Sequence, residues 1–221
     1  MFKGASSEIQ FLVPDEIFPR HRHDFAYAAV VLAGRYLEAG DAGRRWVQSG
    51  DVILHREFEA HADTIPRSGA TILNLRLEVC PRETGFASVS DVDEIVRCCE
   101  RDPRMAADMI VLRAARADCQ LFDWPDQLAH ELRGDGTFSL EEWALCRGLA
   151  PSTVSRGFRR AFGVSPKRYR LEVRTQAVLG KLSATRETLA RVAADAGFSD
   201  QSHMARSVRA VTGRSPRSWR A

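Results

Sequence analysis

Two hydrophobic periodicities divide the chain. Over the first eighty residues, β-branched and aromatic positions gather in short stretches, Phe25 to Leu37, Arg45 to Leu54 and Thr71 to Val79. Polar, glycine-bearing turn signals separate them: Gly40-Asp41-Ala42-Gly43, Ser49-Gly50-Asp51 and Pro66-Arg67-Ser68-Gly69. Short strands in close succession predict a small antiparallel barrel or sandwich. From Ser90 onward the apolar positions fall at helical spacing. Ser90 caps a helix over 91–100; Pro103 opens another to 117 with Met105, Met109 and Leu112 on one face; Asp123-Trp124-Pro125 starts a third that ends at Gly134. Gly134-Asp135-Gly136 reads as a linker. The expected architecture is α+β: a β-barrel over 1–89, a helical segment over 90–135 and an all-α domain over 136–221.

The last domain repeats itself. A shift of fifty residues aligns Ala144 with Ala194, Ser152 with Ser202, Arg156 with Arg206, Arg159 with Arg209, Gly163 with Gly213, Ser165-Pro166 with Ser215-Pro216 and Arg170 with Arg220. Both copies end in Gly-x-Ser-Pro-basic-x-aromatic-Arg, so one structural unit occurs twice. Each unit reads as helix, tight turn, helix. In the first, Ser139 and Glu142 form a capping box, Gly148 breaks the helix, and Pro151-Ser152 starts the next, with Val154, Phe158, Ala161 and Phe162 on one side. Arg156 lies almost opposite that side, flanked by Ser152, Arg159 and Arg160. In the second unit Leu189, Val192 and Ala193 precede a break at Gly197-Phe198-Ser199. Met204, Val208 and Val211 then face inward, and Arg206 points outward beside Ser202 and Arg209. Between the units, Ser165 and Pro166 open a helix to about Leu182 that fixes their spacing.

Charge sharpens this division. The whole chain carries +3, but residues 136–221 hold sixteen Lys and Arg against six Asp and Glu, a net +10, while residues 1–135 hold sixteen against twenty-three, a net −7. A basic module with an arginine face suits a polyanion, and duplex DNA is the commonest such partner. Apolar residues at 44% and charged residues at 28% exclude disorder as the dominant state. The longest apolar run, Phe25 to Gly34, is half a bilayer span, and the start MFKGASSE lacks the apolar core of a signal peptide, so an intracellular, cytoplasmic protein is expected. Five cysteines, Cys80, Cys98, Cys99, Cys119 and Cys146, show no zinc-module spacing and read as reduced thiols.

Residues from about 137 to 221 resemble the DNA-binding domain of the AraC/XylS family of bacterial transcription regulators, most closely in the stretch from Ala193-Ala194-Asp195-Ala196-Gly197-Phe198 to Arg206. Val208 stands where the family usually has an aromatic residue. The resemblance implies base contacts from Ser152, Thr153 and Arg156 in the first unit and Gln201, Ser202, His203 and Arg206 in the second. Arg159, Arg160 and Arg209 supply further basic groups. Arginine suits such reading because its planar fork can donate two bonds to one guanine edge.

The resemblance also implies a cupin-like barrel ahead of this domain, one that binds an effector or pairs protomers. His21-Arg22-His23 and Gly50-Asp51-Val52-Ile53-Leu54 followed by His61 are similar to the two cupin motifs, with Tyr27 near the place of the expected glutamate and residues 55–59 replacing a proline-glycine. His21, His23 and His61 can offer three imidazoles to a divalent metal such as zinc, hydrogen-bond a small organic effector in a metal-free pocket, or sit at the barrel rim. The leading function is a DNA-binding transcription regulator that senses an effector, with a homodimer formed through the 90–133 helices and RNA polymerase as partner if it activates. No catalytic residues are expected. The rival is a metal-dependent cupin enzyme with an accessory basic module; an architectural DNA-binding protein would have no pocket at all.

Overall fold

The computed structural model describes residues 6–79, 84–117, 123–134 and 138–220. Cys80, Cys119 and two of the three expected linker residues, Asp135 and Gly136, lie outside them. The chain forms two compact units, Met1–Phe122 and Asp123–Ala221. Among the described residues no helix is long and apolar enough to cross a membrane.

The first unit is antiparallel throughout. Its strands are β1 (Ser7–Leu12), β2 (Ile17–Arg22), β3 (Tyr27–Gly40), β4 (Gly43–Gln48), β5 (Asp51–His55), β6 (Ala60–Thr64), β7 (Ala70–Arg76) and β8 (Gly85–Ser88), with a short β9 (Ala115–Arg116) at the end. The fourteen-residue β3 belongs to two half-sheets. Its first half pairs with β5 and β7, setting Tyr27 opposite both His55 and Arg76, and its second half pairs with β4 and β6, setting Gly40 opposite Gly43 and His61. The strand turns its corner at Gly34, where φ is +72° and a Cβ would stand 2.3 Å from the Gly69 carbonyl oxygen, so only glycine fits. The register against β7 slips at the same place, between Val31 and Ala33.

Alternation along the strands makes two apolar layers. Tyr27, Ala29, Val31, Tyr36, Val47, Ile53 and Ile72 point into the space between the half-sheets, while Ala28, Val30, Leu73 and Leu75 point outward. Helices α1 (Val92–Arg101) and α2 (Pro103–Arg113) cover that outer layer with Ile95, Ala106, Ala107 and Ile110. These helices therefore complete the first unit, and its β portion does not end as a domain at residue 89. Small alanines let α2 approach the sheet closely, which turns Met105 and Leu112 to solvent, the latter 84% exposed. Asp91 caps α1 in place of the expected Ser90, accepting from the Glu94 amide at 2.8 Å. Helix α2 stops at Arg113, four residues short of the expected end, because the chain pairs with β8 at Ala115 and Arg116.

The second unit holds α3 (Trp124–Arg133), α4 (Leu140–Cys146), α5 (Pro151–Phe162), α6 (Pro166–Ala184), α7 (Leu189–Asp195) and α8 (Gln201–Thr212), closed by a 3₁₀ turn at Pro216–Trp219. The expected boundary at 135/136 moves to 122/123 because α3 packs on α5 and α6. Phe158, Phe162 and Tyr169 centre the core, their rings 4.7 to 5.3 Å apart. The duplication is plain in the backbone: α5 and α8 have twelve residues each and end at glycines with φ of +75° and +74°, Gly163 and Gly213. The turn before α5 takes residues 147–150 and the turn before α8 takes 196–200, so the second copy is one residue longer there.

Candidate nucleic-acid interface and effector site

The two helix-turn-helix units present matching faces. On α5, burying Val154, Phe158 and Phe162 leaves Ser152, Thr153, Arg156, Arg159 and Arg160 exposed on the far side. On α8, burying Met204, Ser207 and Val208 leaves Gln201, Ser202, Arg206 and Arg209 exposed. Among the described residues, the side chains of Arg156, Arg159, Arg160, Arg206 and Arg209 make no ion pair or hydrogen bond. The structural arginines of the unit behave otherwise: Arg147 binds Glu131 at 2.6 Å, Arg168 binds Glu172 at 2.8 Å and Arg174 binds the Gly197 carbonyl at 2.7 Å. Five solvated guanidinium groups held on two rigid helices are free to engage phosphates or base edges without first breaking an internal pair.

His203 differs from its neighbours. Its ring lies edge-on to Phe198 with centroids 5.3 Å apart, and Nδ1 sits 3.2 Å from the Ser199 hydroxyl, so this half-buried side chain also pins the turn to α8. Asp200 caps α8 by accepting from the His203 amide at 2.7 Å, and that bond holds its carboxyl below the usual range.

In the first unit, His21, His23 and His61 converge. One ligand nitrogen from each lies within 4.8 Å of the others, and the His21 and His61 rings are 4.3 Å apart. His23 and His61 are 8% and 4% exposed, which takes these two away from the rim, while His21 is half-buried. His21 Nδ1 donates to the Pro19 carbonyl at 3.0 Å, leaving Nε2 with the lone pair when the ring is neutral. Burial lowers all three: His21 below its ordinary value, His23 to about 4 with help from His21, and His61 well below, with help from His55.

The cavity these rings face holds more than the sequence disclosed. Tyr27, Glu38, His55, Asp63, Gln10 and Asn74 also line it. Tyr27 Oη lies 3.2 Å from His61 Nε2, and the Tyr27 ring stacks on His55 at 4.5 Å. Burial alone would lower His55, but Glu38, 3.6 Å from its Nε2, raises it to about 9, so it carries charge at neutral pH. Glu59 is raised to about 7 by burial, against the pull of His55. Buried His61 Nδ1 and Asp63 Oδ1 have no hydrogen-bond partner. The cavity measures about 40 Å³, room for an ion or a water or two, whereas organic-ligand pockets run to roughly 300–1,000 Å³.

Three neutral imidazoles backed by carboxylates have the donor chemistry of a divalent transition metal. Zinc–nitrogen bonds of about 2.1 Å set tetrahedral nitrogens about 3.4 Å apart, so ligand atoms within 4.8 Å of one another would close by up to about 1.4 Å. Among the described residues the cysteines offer nothing comparable: Cys98 and Cys99 pack half-buried against the outer layer, and Cys146 is exposed and free.

Residues 143–221 match the family described as "Helix-turn-helix domain". The chain is 34% identical over 87 residues to the arabinose operon regulatory protein of Escherichia coli, an overlap of 39% of this chain and 30% of that one. It thus spans about a third of the length of this curated relative. Among solved structures, a probable AraC family transcriptional regulator from Rhodopseudomonas palustris is 27% identical over 42% of this chain and 90% of its own, with a TM-score of 0.39. Apo ToxT from Vibrio cholerae covers 98% of this chain and 97% of its own, at 7% identity and a TM-score of 0.45.

Proposed function

We propose that this chain, which carries a helix-turn-helix domain over residues 143–221, is a cytoplasmic, sequence-specific transcription regulator of the AraC type that reads duplex DNA with α5 and α8. The observation that carries this reading is the repeated, unpaired arginine face, Arg156 on α5 and Arg206 at the same place on α8. On a duplex selected from a random pool by the wild-type chain, Arg156→Ala and Arg206→Ala are each expected to cost roughly 1 to 3 kcal/mol and to relax preference at one base position. Arg186→Ala, in the exposed stretch before α7, is expected to cost far less. Equal loss on every sequence would assign these arginines to phosphates and end the base-reading claim.

The barrel acts as the sensor rather than as an enzyme, and His21, His23 and His61 would hold a divalent metal as its effector. The small cavity, the neutral rings and the unpartnered His61 Nδ1 support a metal over an organic molecule. When bound, such an ion would add charge to the interior and tie β2, which carries His21, to β6, which carries His61. Pairing of protomers falls to α2, whose exposed Met105 and Leu112 stand seven residues apart on one side of the helix. Leu112→Glu is expected to shift the chain from dimer to monomer in sedimentation at micromolar concentration. A wild-type chain that sediments as a monomer, or an unchanged dimer in the variant, would reject α2 as the contact.

A further inference from the structure

Helix α3 lies outside the helix-turn-helix match, yet it holds the first recognition helix. Asp123 and Asp126 form a capping box around its first turn, with Pro125 inside that turn, which fixes Trp124 at the helix start. The six-membered edge of the Trp124 indole lies on α5 at Gly157. A Cβ at position 157 would stand 2.4 Å from Trp124 Cζ2 and 2.7 Å from Cη2, distances no side chain can occupy. Gly157 sits inside a helix, where glycine costs about 0.5–1 kcal/mol relative to alanine. The indole accounts for its presence, because it fills the volume a side chain would take.

The far end of α3 is tied as firmly. Glu131 accepts from Trp143 Nε1 at 2.9 Å and from Arg147 at 2.6 Å, both on the α4 side of the first helix-turn-helix, and Arg133 donates to the Tyr169 hydroxyl on α6 at 3.3 Å. Trp124 and Trp143 lie 6.2 Å apart. At the matching place on α8 stands Ser207, whose hydroxyl turns back to the His203 carbonyl at 3.0 Å. The brace on the first reader thus has no copy in the repeat at this position. Gly157 is the residue next to Arg156, so the indole bears on the backbone that aims that arginine.

We propose that Trp124 is a positioning residue for the first recognition helix: seated on Gly157, it sets how α5 presents Arg156 and governs binding to the stretch of DNA that α5 reads, independently of α8. This rests on the reading of α5 and α8 as base readers.

The test uses the full chain and three duplexes: one selected from a random pool by the wild-type chain, and two in which the base positions sensitive to Arg156→Ala or to Arg206→Ala are scrambled. Trp124→Ala is expected to weaken binding to the selected duplex by roughly tenfold, to do the same when the Arg206 positions are scrambled, and to change nothing when the Arg156 positions are scrambled. Gly157→Ala drives the indole off α5 and is expected to act in the same direction. The double variant should be no weaker than Trp124→Ala alone, because the clash is gone. Thermal melting shows whether each variant is folded at the assay temperature; if Trp124→Ala is not, Trp124→Phe, which keeps a ring but withdraws it from Gly157, is read instead. Equal losses on both scrambled duplexes, additive losses in the double variant, or no loss at all would overturn the proposal. If Arg156→Ala and Arg206→Ala themselves show no base-specific effect, it is the DNA-reading assignment that fails.

Discussion

Separated between residues 122 and 123, the chain is expected to keep all duplex binding in residues 123–221 and to lose it from residues 1–122. The second fragment holds seventeen Lys and Arg against ten Asp and Glu, a net +7, and the first holds fifteen against nineteen, a net −4. Each phosphate neutralised releases condensed counterion, so affinity for DNA should fall on the order of 10³-fold between about 50 and 200 mM salt if about six phosphates are contacted. The position of the cut matters as much as the charge. A fragment beginning at residue 136, where linker residues and the charge step both suggest a boundary, would lose Trp124, Glu131 and Arg133 and leave the Trp143 indole nitrogen and the Gly157 surface uncovered. Removing a packed tryptophan alone costs about 3–5 kcal/mol, enough to unfold much of so small a unit. Gel-shift titrations and thermal melts of the three fragments check both statements. Equal DNA affinity in residues 1–122 and 123–221, or a 136–221 fragment as stable as 123–221, would refute the division.

Replacing His23 and His61 together by alanine is expected to abolish metal uptake by the first unit, measured by elemental analysis after dialysis against zinc, while effector-free DNA binding stays intact. A wild-type chain that takes up no metal would dismiss the proposed effector. The pH dependence carries the signature of burial. A free imidazole near 6.5 would surrender metal to protons just below that value. Burial instead holds His23 at about 4, and His21 and His61 are lowered as well, so uptake should persist below the pH at which free imidazoles release the metal.

The same shifts bear on stability. His23 titrates lower folded than unfolded, so its contribution is whole above pH 6.5 and is lost as pH falls through about 4, some 1–2 kcal/mol allowing for solvent on its open side. His55 has the opposite sign: raised to about 9, it contributes fully below pH 6.5 and is lost as pH rises through 9. Glu59, raised to about 7, is a loss as pH climbs from 4.5 through 7, set against the gains of His21, His23 and His61 over the same range. Melting of the metal-free chain should therefore show greatest stability of the first unit near pH 6, and a flat profile from pH 4 to 9.5 would contradict it.

The second unit was largely legible in sequence because its signals are local. The Ser139–Glu142 capping box, Pro151, the Ser165-Pro166 start and the paired Gly163 and Gly213 stops each act within a few residues of the structure they specify. The spacing of Val154, Phe158 and Phe162 likewise declares which side of α5 faces water. The allegiance of α3 was not legible, since the contact that decides it joins Trp124 to a glycine thirty-three positions away, and a glycine announces no partner. The cavity of the first unit was legible in its three histidines and hidden in its carboxylates. Counting by twos from Tyr27, Ala29 and Val31 puts odd positions inside, but the register slip and the turn at Gly34 reverse the parity, and Tyr36 and Glu38 face the cavity instead. His55 was read as part of a departure from a loop motif and proves to be the last residue of β5, stacked on Tyr27.

The shared strand β3 also decides the order in which the molecule is assembled. Its neighbours β5 and β7, and the edge strand β1 beyond β7, pair across long separations; Ser7 lies opposite Leu75, and Asp51 opposite Ser88. A nascent chain cannot close this sheet until most of the first unit has left the ribosome, and the loop entropy of those distant pairings slows closure further. The second unit is built from short-range helical contacts and folds quickly once made. The helical unit, though it follows the sheet along the chain, can thus be complete while the first unit is still searching for its register.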